Sequence, residues 1–314
     1  MYMNNDLDVQ AREAICYQYF SDYNITNRDQ LRQQLKVNPI LGVTSGFAEE
    51  MLSDYNRKRR QNLSKRRISN KNKIIKTCVF NDVHIPYQDD VSLQLVFDCI
   101  VNEQPNYLIL NGDILDFYGC SRFDKRPDRN VILQAEINTF YQLFSYLRKY
   151  IPNTEIHYNL GNHENRMITI MLQQPGLWDL DVLSPTTLLK LDKLNIIPHK
   201  NKFTQGGVIY SHGDIARQHS SASAKAEYLQ HNGHIGISGH THRLGCYYQT
   251  YNKYVTYWHE NGCLCTLDAE YLKDPTKANW QQGFSFIHTY DQVNQINPIP
   301  ILDHSFVYND KLYK

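Results

Sequence analysis

The chain has 314 residues, of which 41% are hydrophobic, and its 33 basic and 32 acidic side chains give a formal net charge of +1. This length allows one large domain with an appendage or two modest domains, and the apolar content is sufficient for a sizeable core. The near-neutral total does not point to a nucleic-acid partner, so such a contact would depend on a local run of charge.

The cysteines indicate a reducing compartment. There are seven, scattered along the chain and without a CxxC pair, which disfavours a disulfide framework. The first ten residues are polar and acidic, unlike a signal peptide, and no apolar run approaches the roughly 18 residues that a membrane helix needs. We therefore expect a soluble cytoplasmic protein with no membrane partner.

The N-terminal region, residues 1–73, is predicted to be a helical, basic extension. Apolar spacing predicts a helix over residues 11–23, a second over 28–37 with Asn27 as its N-cap, and a third over 46–60. Three short helices before a basic run resemble a small DNA-binding module. A helical extension that packs on the main domain would show the same pattern, so both interpretations stay open.

A basic run follows these helices. Between Arg57 and Lys76 there are ten Lys or Arg and no Asp or Glu. Such a run can bind DNA or RNA through phosphate contacts, and it can equally be a solvated linker. The sequence predicts a nucleic-acid contact through residues 57–76 as one hypothesis for the partner.

From residue 74 onwards the pattern alternates between strands and helices, which predicts a catalytic domain over residues 74–314. Predicted strands at 74–80, 107–111 and 155–160 are separated by helices at 91–103 and 131–150, as in βαβ units. A helix is then expected over 186–194, followed by strand, helix and strand up to residue 243. The region from Cys246 is expected to form antiparallel strands.

Five polar fragments each follow a predicted strand. They are Asp82-Val83-His84, Gly112-Asp113-Ile114-Leu115-Asp116, Gly161-Asn162-His163-Glu164, His212, and Gly239-His240-Thr241-His242. Ligands in open α/β sheets bind at the carboxyl ends of the strands, so these fragments can gather at one edge. Their oxygen and imidazole donors suit Mn, Fe, Ni or Zn better than Ca or a Cys-rich structural zinc site.

This ordered set resembles the calcineurin-like metallophosphoesterase superfamily, whose pattern is D-x-H, G-D-x-x-D, G-N-H-E/D, H and G-H-x-H. The resemblance covers about residues 76–265 and implies a four-layer α/β/β/α sandwich of two mixed sheets with a dinuclear metal site. By resemblance, one metal takes Asp82, His84, Asp113 and His242, and the other takes Asp113, Asn162, His212 and His240. A SRFD-like loop, a GNHE-x-R motif and GHTHR are similar to phage-encoded members, which would place the protein in the host cytoplasm.

The resemblance also implies chemistry. Two divalent ions, for which we expect manganese with iron, nickel or zinc as alternatives, would clamp the attacking and leaving oxygens while a metal-bound hydroxide attacks phosphorus. His163 is similar to the catalytic histidine that assists the leaving group, and Asp116 to its carboxylate partner. A structural role for His163 and a turn-capping role for Asp116 are the alternatives.

Three arginines are candidate substrate contacts. Arg166 either faces the phosphate or pairs with Glu164 or another acid, and Arg122 and Arg126 lie on a charged loop that binds substrate or closes onto the body. The sequence thus predicts a metal-dependent phosphoesterase. Its substrate is either a nucleic acid or nucleotide, or a phosphate ester on a small molecule or protein. The alternative is a nucleic-acid-binding or structural protein that retains a metal-binding fold without turnover. The sequence does not indicate the oligomeric state.

Overall fold

The computed structural model describes residues 9–22, 25, 27–40, 43–56, 73–122, 133–178, 180–251, 254–268, 278–291 and 293–314. The chain forms two compact units, Met1–Lys73 and Ile74–Lys314. Among the described residues, no helix is long and apolar enough to cross a membrane.

The first unit is helical. Its helices are α1 (Val9–Asp22), α2 (Arg28–Val37) and α3 (residues 45–56). The side chain of Asn27 accepts a hydrogen bond from the backbone N–H of Gln30 at 2.9 Å, which makes it the N-cap of α2 as predicted. The three helices share a small apolar core that consists of Cys16, Phe20, Ile25, Leu31, Ile40, Ala48 and Leu52.

The second unit alternates strands and helices before it ends in strands. In chain order the elements are β1 (Ile75–Phe80), α4 (Asp90–Glu103), β2 (Tyr107–Leu110), α5 (Leu133–Tyr150), β3 (Glu155–Asn159), α6 (Asn165–Gln173), α7 (Pro185–Leu188), β4 (Ile196–His199), β5 (Lys202–Gln205), β6 (Val208–Ser211), α8 (Ser220–Gln230), β7 (Gly236–Ser238), β8 (Leu244–Tyr251), β9 (Tyr254–Asn261), β10 (Gly283–Tyr290), β11 (Val293–Pro300), β12 (Phe306–Tyr308) and β13 (Lys311–Tyr313).

The second unit contains two mixed β-sheets. The first has the order β11-β10-β1-β2-β3-β4, in which β1 to β4 are parallel and β10 is antiparallel to β1. The second has the order β5-β6-β7-β9-β8, in which β6, β7 and β9 are parallel and the two outer strands are antiparallel to their neighbours. The antiparallel strands expected after Cys246 are present in both sheets.

Side-chain alternation along the strands builds the layers. In β1, Phe80 faces the helices and packs with Phe97 of α4 and Phe144 of α5, whereas Val79 belongs to the apolar layer between the sheets. On the outer side of the second sheet, Trp258 packs in a cluster with residues of α8. The unit is therefore a four-layer α/β/β/α sandwich, and the predicted fold class is confirmed.

One predicted helix is wrong in its length. The expected helix over residues 186–194 ends at Leu188. Lys190 adopts a left-handed φ of 53°, its N–H bonds to Thr187 O, and the N–H of Leu191 bonds to Thr186 O. These two bonds form a Schellman motif, which ends helices and usually has glycine at the left-handed position. Because a lysine occupies that position here, no residue type in this segment signals the end of the helix.

Candidate metal centre

The polar fragments lie where strands end, as predicted. The loop after β1 carries Asp82 and His84, that after β2 carries Asp113 and Asp116, that after β3 carries Asn162 and His163, that after β6 carries His212, and that after β7 carries His240 and His242. The first three strands belong to one sheet and the last two to the other. The fragments therefore meet where the carboxyl ends of both sheets come together.

The first group of donor atoms surrounds one point. Nε2 of His242 lies 3.2 Å from Oδ1 of Asp82 and 3.0 Å from Nε2 of His84. His84 Nε2 is in turn 3.6 Å from Asp82 Oδ1 and 4.0 Å from Oδ2 of Asp113. These four side chains make up the first of the two ligand sets that the resemblance implies.

The second group shares Asp113 with the first. Oδ2 of Asp113 lies 3.2 Å from Nε2 of His212, which lies 3.2 Å from Oδ1 of Asn162. Asn162 Oδ1 is also 2.9 Å from Nδ1 of His240. One carboxylate oxygen thus faces His84 on one side and His212 on the other, which is the position that a bridging ligand requires.

The donor set fits divalent cations. Ligand bonds of about 2.0–2.1 Å that meet at about 90–110° place donor atoms about 2.9–3.4 Å apart, close to most of the spacings observed here. Oδ1 of Asp82 is buried and makes no hydrogen bond within the described part of the chain, although Nε2 of His242 lies 3.2 Å and Nε2 of His84 3.6 Å away. A buried carboxylate oxygen with two imidazole nitrogens around it is a donor set that suits a cation between Asp82, His84 and His242.

The backbone holds five of these candidate ligands in an uncommon conformation. Positive φ angles of 51–68° occur at Asp82, His84, Asp113, His240 and His242. Non-glycine residues rarely adopt the left-handed region, and such residues persist where the surrounding structure fixes them, often at functional sites.

Two glycines of the motifs leave room for ligands from other loops. A Cβ at Gly161 would collide with the side chain and backbone N of Asp113, and a Cβ at Gly239 would collide with the carboxylate of Asp82. Glycine is needed at these two positions because residues of other loops approach the backbone so closely that a side chain would not fit. Each glycine therefore determines where a ligand from a different strand can lie.

Glu164 connects two loops of the first sheet. Its buried carboxylate accepts hydrogen bonds from the backbone N–H groups of Asp113, Leu115 and Gly161 at 2.8–3.0 Å and from the hydroxyl of Tyr158 at 2.6 Å. The sequence motif contains Glu164, but sequence reasoning did not identify this role. The carboxylate fixes the loop after β2 relative to the loop after β3.

Two other buried carboxylates support loops of the second sheet. Glu227 of α8 accepts bonds from the N–H groups of Asp214 and Ile215, both at 3.0 Å, just beyond His212. Glu260 of β9 accepts a 2.6 Å bond from the Thr241 hydroxyl. Both lie outside the motifs, and no local sequence signal distinguishes them from surface acids, so sequence reasoning missed them.

Charges within the site hold its carboxylates ionised. Burial alone would raise the pKa of Asp82, but the charges of His242 and His212 outweigh it and keep that pKa well below its usual value. Burial likewise opposes the charged form of His212, yet Asp113 and Asp82 raise the pKa of His212 to about 10. A site with this much negative charge attracts protons or metal cations, and metal binding would release protons from its histidines.

His163, Asp116 and Arg166 form a connected group beside the ligands. Nδ1 of His163 lies 2.9 Å from the backbone oxygen of Asp116 and 3.1 Å from its Oδ1. Arg166 Nη1 donates to the same backbone oxygen at 2.7 Å, and its Nη2 lies 2.8 Å from Nε2 of His163. Burial opposes ionisation of Asp116, but its contacts with His163 and His84 lower the pKa of Asp116 below its usual value.

The remaining predicted substrate contacts, Arg122 and Arg126, and the basic run are not part of this group of side chains in the described structure. Arg122 is exposed and follows the short 3-10 turn Tyr118–Cys120. Arg126 lies outside the described residues, as do residues 57–72 of the basic run. The roles predicted for them stay predictions.

Comparison with known proteins agrees with the motifs. The family model described as calcineurin-like phosphoesterase matches residues 75–260. The Gene 54 protein of Mycobacterium phage L5 is 25% identical over 249 residues, which cover 75% of this chain and 97% of that protein. The Gene 54 protein of Mycobacterium phage D29 is 27% identical over 243 residues, which cover 73% and 94%. Both relatives are phage proteins, in agreement with the resemblance to phage-encoded members.

Solved structures with distant sequences are also similar. Vps29 from Entamoeba histolytica has a TM-score of 0.41 at 14% identity and covers 74% of this chain and 96% of its own. A dimetal phosphatase from Danio rerio has a TM-score of 0.37 at 10% identity, with 71% and 95% covered.

Proposed function

Because this chain belongs to the calcineurin-like phosphoesterase family, we propose that it is a hydrolase that cleaves phosphate esters with the help of two divalent metal ions. The observation that supports this most strongly is the position of Asp113, whose Oδ2 faces His84 on one side and His212 on the other. A shared carboxylate between two groups of nitrogen and oxygen donors is the arrangement that a two-metal centre needs.

The proposed ligands divide into two sets around Asp113. Asp82, His84 and His242 would hold one ion, and Asn162, His212 and His240 would hold the other. When bound, the two ions would supply Lewis acidity towards the phosphate oxygens and acidify a bound water. Manganese is our first choice for both ions, with iron, nickel or zinc as alternatives, because nitrogen and oxygen donors accept all four.

His163 is proposed to assist the leaving group. Its Nδ1 is held by Asp116, which leaves Nε2, 3.7 Å from Oδ2 of Asp113, as the nitrogen that faces the ligands. Nε2 can donate a hydrogen bond or a proton to the departing oxygen once a proton is present there. Asp116 would fix the orientation of the ring.

Arg166 is proposed to bind the substrate phosphate. In the structure its guanidinium lies against Nε2 of His163. A phosphate attracts a guanidinium more strongly than a neutral ring nitrogen does, because the hydrogen bonds are charge-assisted and can be bidentate. Movement of Arg166 onto the phosphate would free Nε2 for the leaving group. Arg122 and Arg126 are proposed as further contacts at the mouth of the site.

The substrate class that we propose is nucleic acid or a nucleotide. The support is the basic run at 57–76, whose ten cations without an acid can bind a phosphate backbone. The helical first unit would then be a docking module for DNA or RNA. We place the reaction in the cytoplasm, which for a phage-encoded protein is that of the host.

The same basic run favours a second candidate function. A nucleic-acid-binding or structural protein could keep the metal-binding fold without turnover. The intact set of seven donor side chains supports the enzyme over this alternative, because a protein without turnover has no chemical need for the complete set.

The decisive experiment is hydrolysis with Mn²⁺ on two substrates in parallel, end-labelled DNA and an aryl phosphomonoester. Asp113→Asn is the matched control, since it keeps the shape of the side chain but removes the bridging charge. We expect the wild-type chain to cleave DNA and the variant to lose that cleavage together with Mn²⁺ binding. Monoester turnover without DNA cleavage would keep the phosphoesterase but reject nucleic acid as the substrate.

Absence of hydrolysis on both substrates, with DNA still bound, would support the alternative without turnover. Removal of residues 1–73 distinguishes the two roles further. If the first unit only docks nucleic acid, the remaining chain should still hydrolyse the monoester but should lose the salt-dependent affinity for DNA.

A further inference from the structure

Histidines that bind metals usually have their second ring nitrogen held by an acceptor, which fixes the ring. In this site, Nε2 of His212 faces Asp113, and its Nδ1 lies 2.9 Å from the backbone oxygen of Asn111. Nε2 of His84 also lies in the site, and its Nδ1 lies 3.3 Å from Oδ1 of Asp116, within ion-pair distance but without a hydrogen bond. The ring of His212 is thus held by a backbone carbonyl.

His242 has the same arrangement with a different acceptor. Its Nε2 faces Asp82 and His84, and its Nδ1 lies 3.7 Å from Sγ of Cys265. Cysteine sulfur is a weak but competent acceptor for an N–H group. Cys265 is only 1% exposed and His242 only 6%, so water does not compete freely for this nitrogen.

The structure holds Cys265 firmly in this place. Its backbone oxygen accepts a 3.0 Å bond from the side chain of Gln282, and it forms an isolated β-bridge with Gln88. The preceding residue, Leu264, donates its N–H to the backbone oxygen of Asp82 at 3.1 Å. The segment that presents the sulfur is therefore tied to the same loop that presents the first ligands.

A second buried thiol, Cys263, lies in the same cluster, with its Sγ 3.6 Å from the backbone oxygen of Gln281. The indole of Trp280 also contacts this ring, with 4.1 Å between the centroids of Trp280 and His242. The sulfur and the indole together restrict rotation of the imidazole. Of these groups, only Cys265 reaches the second ring nitrogen in the contacts described.

We propose that Cys265 is a positioning residue of the metal centre, whose sulfur accepts the Nδ1–H of His242 and so directs Nε2 towards the ion that Asp82 and His84 bind. The proposal rests on the proposed function, because it needs His242 to be a metal ligand. It predicts that the sulfur influences one of the two ions more than the other.

The test compares Cys265→Val, which keeps the approximate volume but removes the acceptor, with Cys265→Ser, which keeps an acceptor. Cys99→Val is the matched control, since Cys99 is a fully buried thiol in α4 outside the site. Mn²⁺ binding to the metal-depleted full-length chain is measured by calorimetry, and thermal unfolding of each variant is recorded alongside. We expect Cys265→Val to weaken binding of one ion by about 10- to 100-fold, as loss of such partners typically does.

Cys265→Ser should restore most of that affinity, and Cys99→Val should bind both ions like the wild-type chain even if its unfolding temperature falls. Equal affinity of Cys265→Val and wild type for both ions would overturn the proposal. So would an equal loss in Cys265→Val and Cys265→Ser, because the acceptor would then be irrelevant. If the wild-type chain binds no Mn²⁺ at all, the proposed function itself fails.

Discussion

The two sheets contribute different halves of the candidate metal centre. The first-sheet half consists of Asp82, His84, Asp113 and Asn162 and supplies every oxygen donor, whereas the second-sheet half consists of His212, His240 and His242. Their supports differ as well. Glu164, which joins two loops of the first-sheet half, lies inside a sequence motif. Glu227 and Glu260, which support the second-sheet half, lie in α8 and β9.

The difference shows which parts of the site are held by residues of the local sequence and which are held by tertiary contacts. Glu164 lies three residues from Gly161, whose loop it holds, so this supporting carboxylate is part of the same sequence motif as the candidate ligands. Glu227 and Glu260 lie on other elements, so they can hold the loops of the second-sheet half only after α8 and β9 have packed beside those loops. The second-sheet half therefore depends more on the correct packing of distant elements than the first-sheet half does.

The largest effect should follow from the loss of the Glu164 carboxylate. Glu164→Ala leaves three backbone N–H groups and the Tyr158 hydroxyl without their buried acceptor, and we expect a loss of about 3–5 kcal/mol in the free energy of unfolding. Urea unfolding followed by tryptophan fluorescence measures it, since all three tryptophans belong to the second unit. Glu164→Gln, which retains one acceptor oxygen, should lose less. Equal losses would show that the hydrogen bonds are not the cause.

A smaller effect is expected from the corresponding change in the second-sheet half. Glu227→Ala removes the acceptor of two backbone N–H groups, at Asp214 and Ile215, and should cost about 2 kcal/mol. The same urea experiment measures the cost. A loss as large as that of Glu164→Ala would contradict the proposed difference between the halves.

A pH-dependent effect is expected as well. Burial raises the pKa of Glu136 in α5 to about 8, and this side chain accepts a 2.7 Å bond from the Phe117 N–H in the loop after β2. Because the folded pKa lies above the ordinary value of 4.5, this group stabilises the fold at low pH, and its contribution falls as the pH rises towards 8. The unfolding temperature of Glu136→Gln should therefore decrease less between pH 5 and pH 8 than that of the wild-type chain.

Glu260 provides the matching measurement in the second-sheet half. Burial raises its pKa to about 7, so its contribution should already be lost near neutral pH. Glu260→Gln should flatten the pH dependence only up to about pH 7. If both variants keep the wild-type slope, neither carboxyl is the source of the pH dependence.

Much of the fold could be predicted because its signals are local. Apolar runs and turn residues predicted β1, β2 and β3, and Asn27 predicted the start of α2. The order of strands in the sheets was not predictable in the same way. The residues of β10 contain no signal for pairing with β1 rather than with a strand nearer in sequence, because that pairing depends on the packing of the whole unit.

In the candidate site, too, the features with local sequence signals could be predicted and those that depend on tertiary contacts could not. The positions of Asp82 and His242 at strand ends followed from motif spacing, and the structure brings them together. The contact of Cys265 with His242 had no sequence signal, because a lone cysteine in an irregular segment is usually a buried apolar residue. For Arg166, a phosphate contact and a pairing with an acid both stay predictions, and its guanidinium contacts His163 and the backbone oxygen of Asp116 in the structure.

The place of β1 in the first sheet has a consequence for synthesis of the chain. β1 lies between β2 and β10, so its second neighbour is Gly283–Tyr290, which leaves the ribosome long after β1 itself. All five ligand fragments are translated before that strand exists. Until then β1 has an unpaired edge that can recruit other chains. Fragments that stop before residue 283 should therefore aggregate even though they contain every proposed ligand.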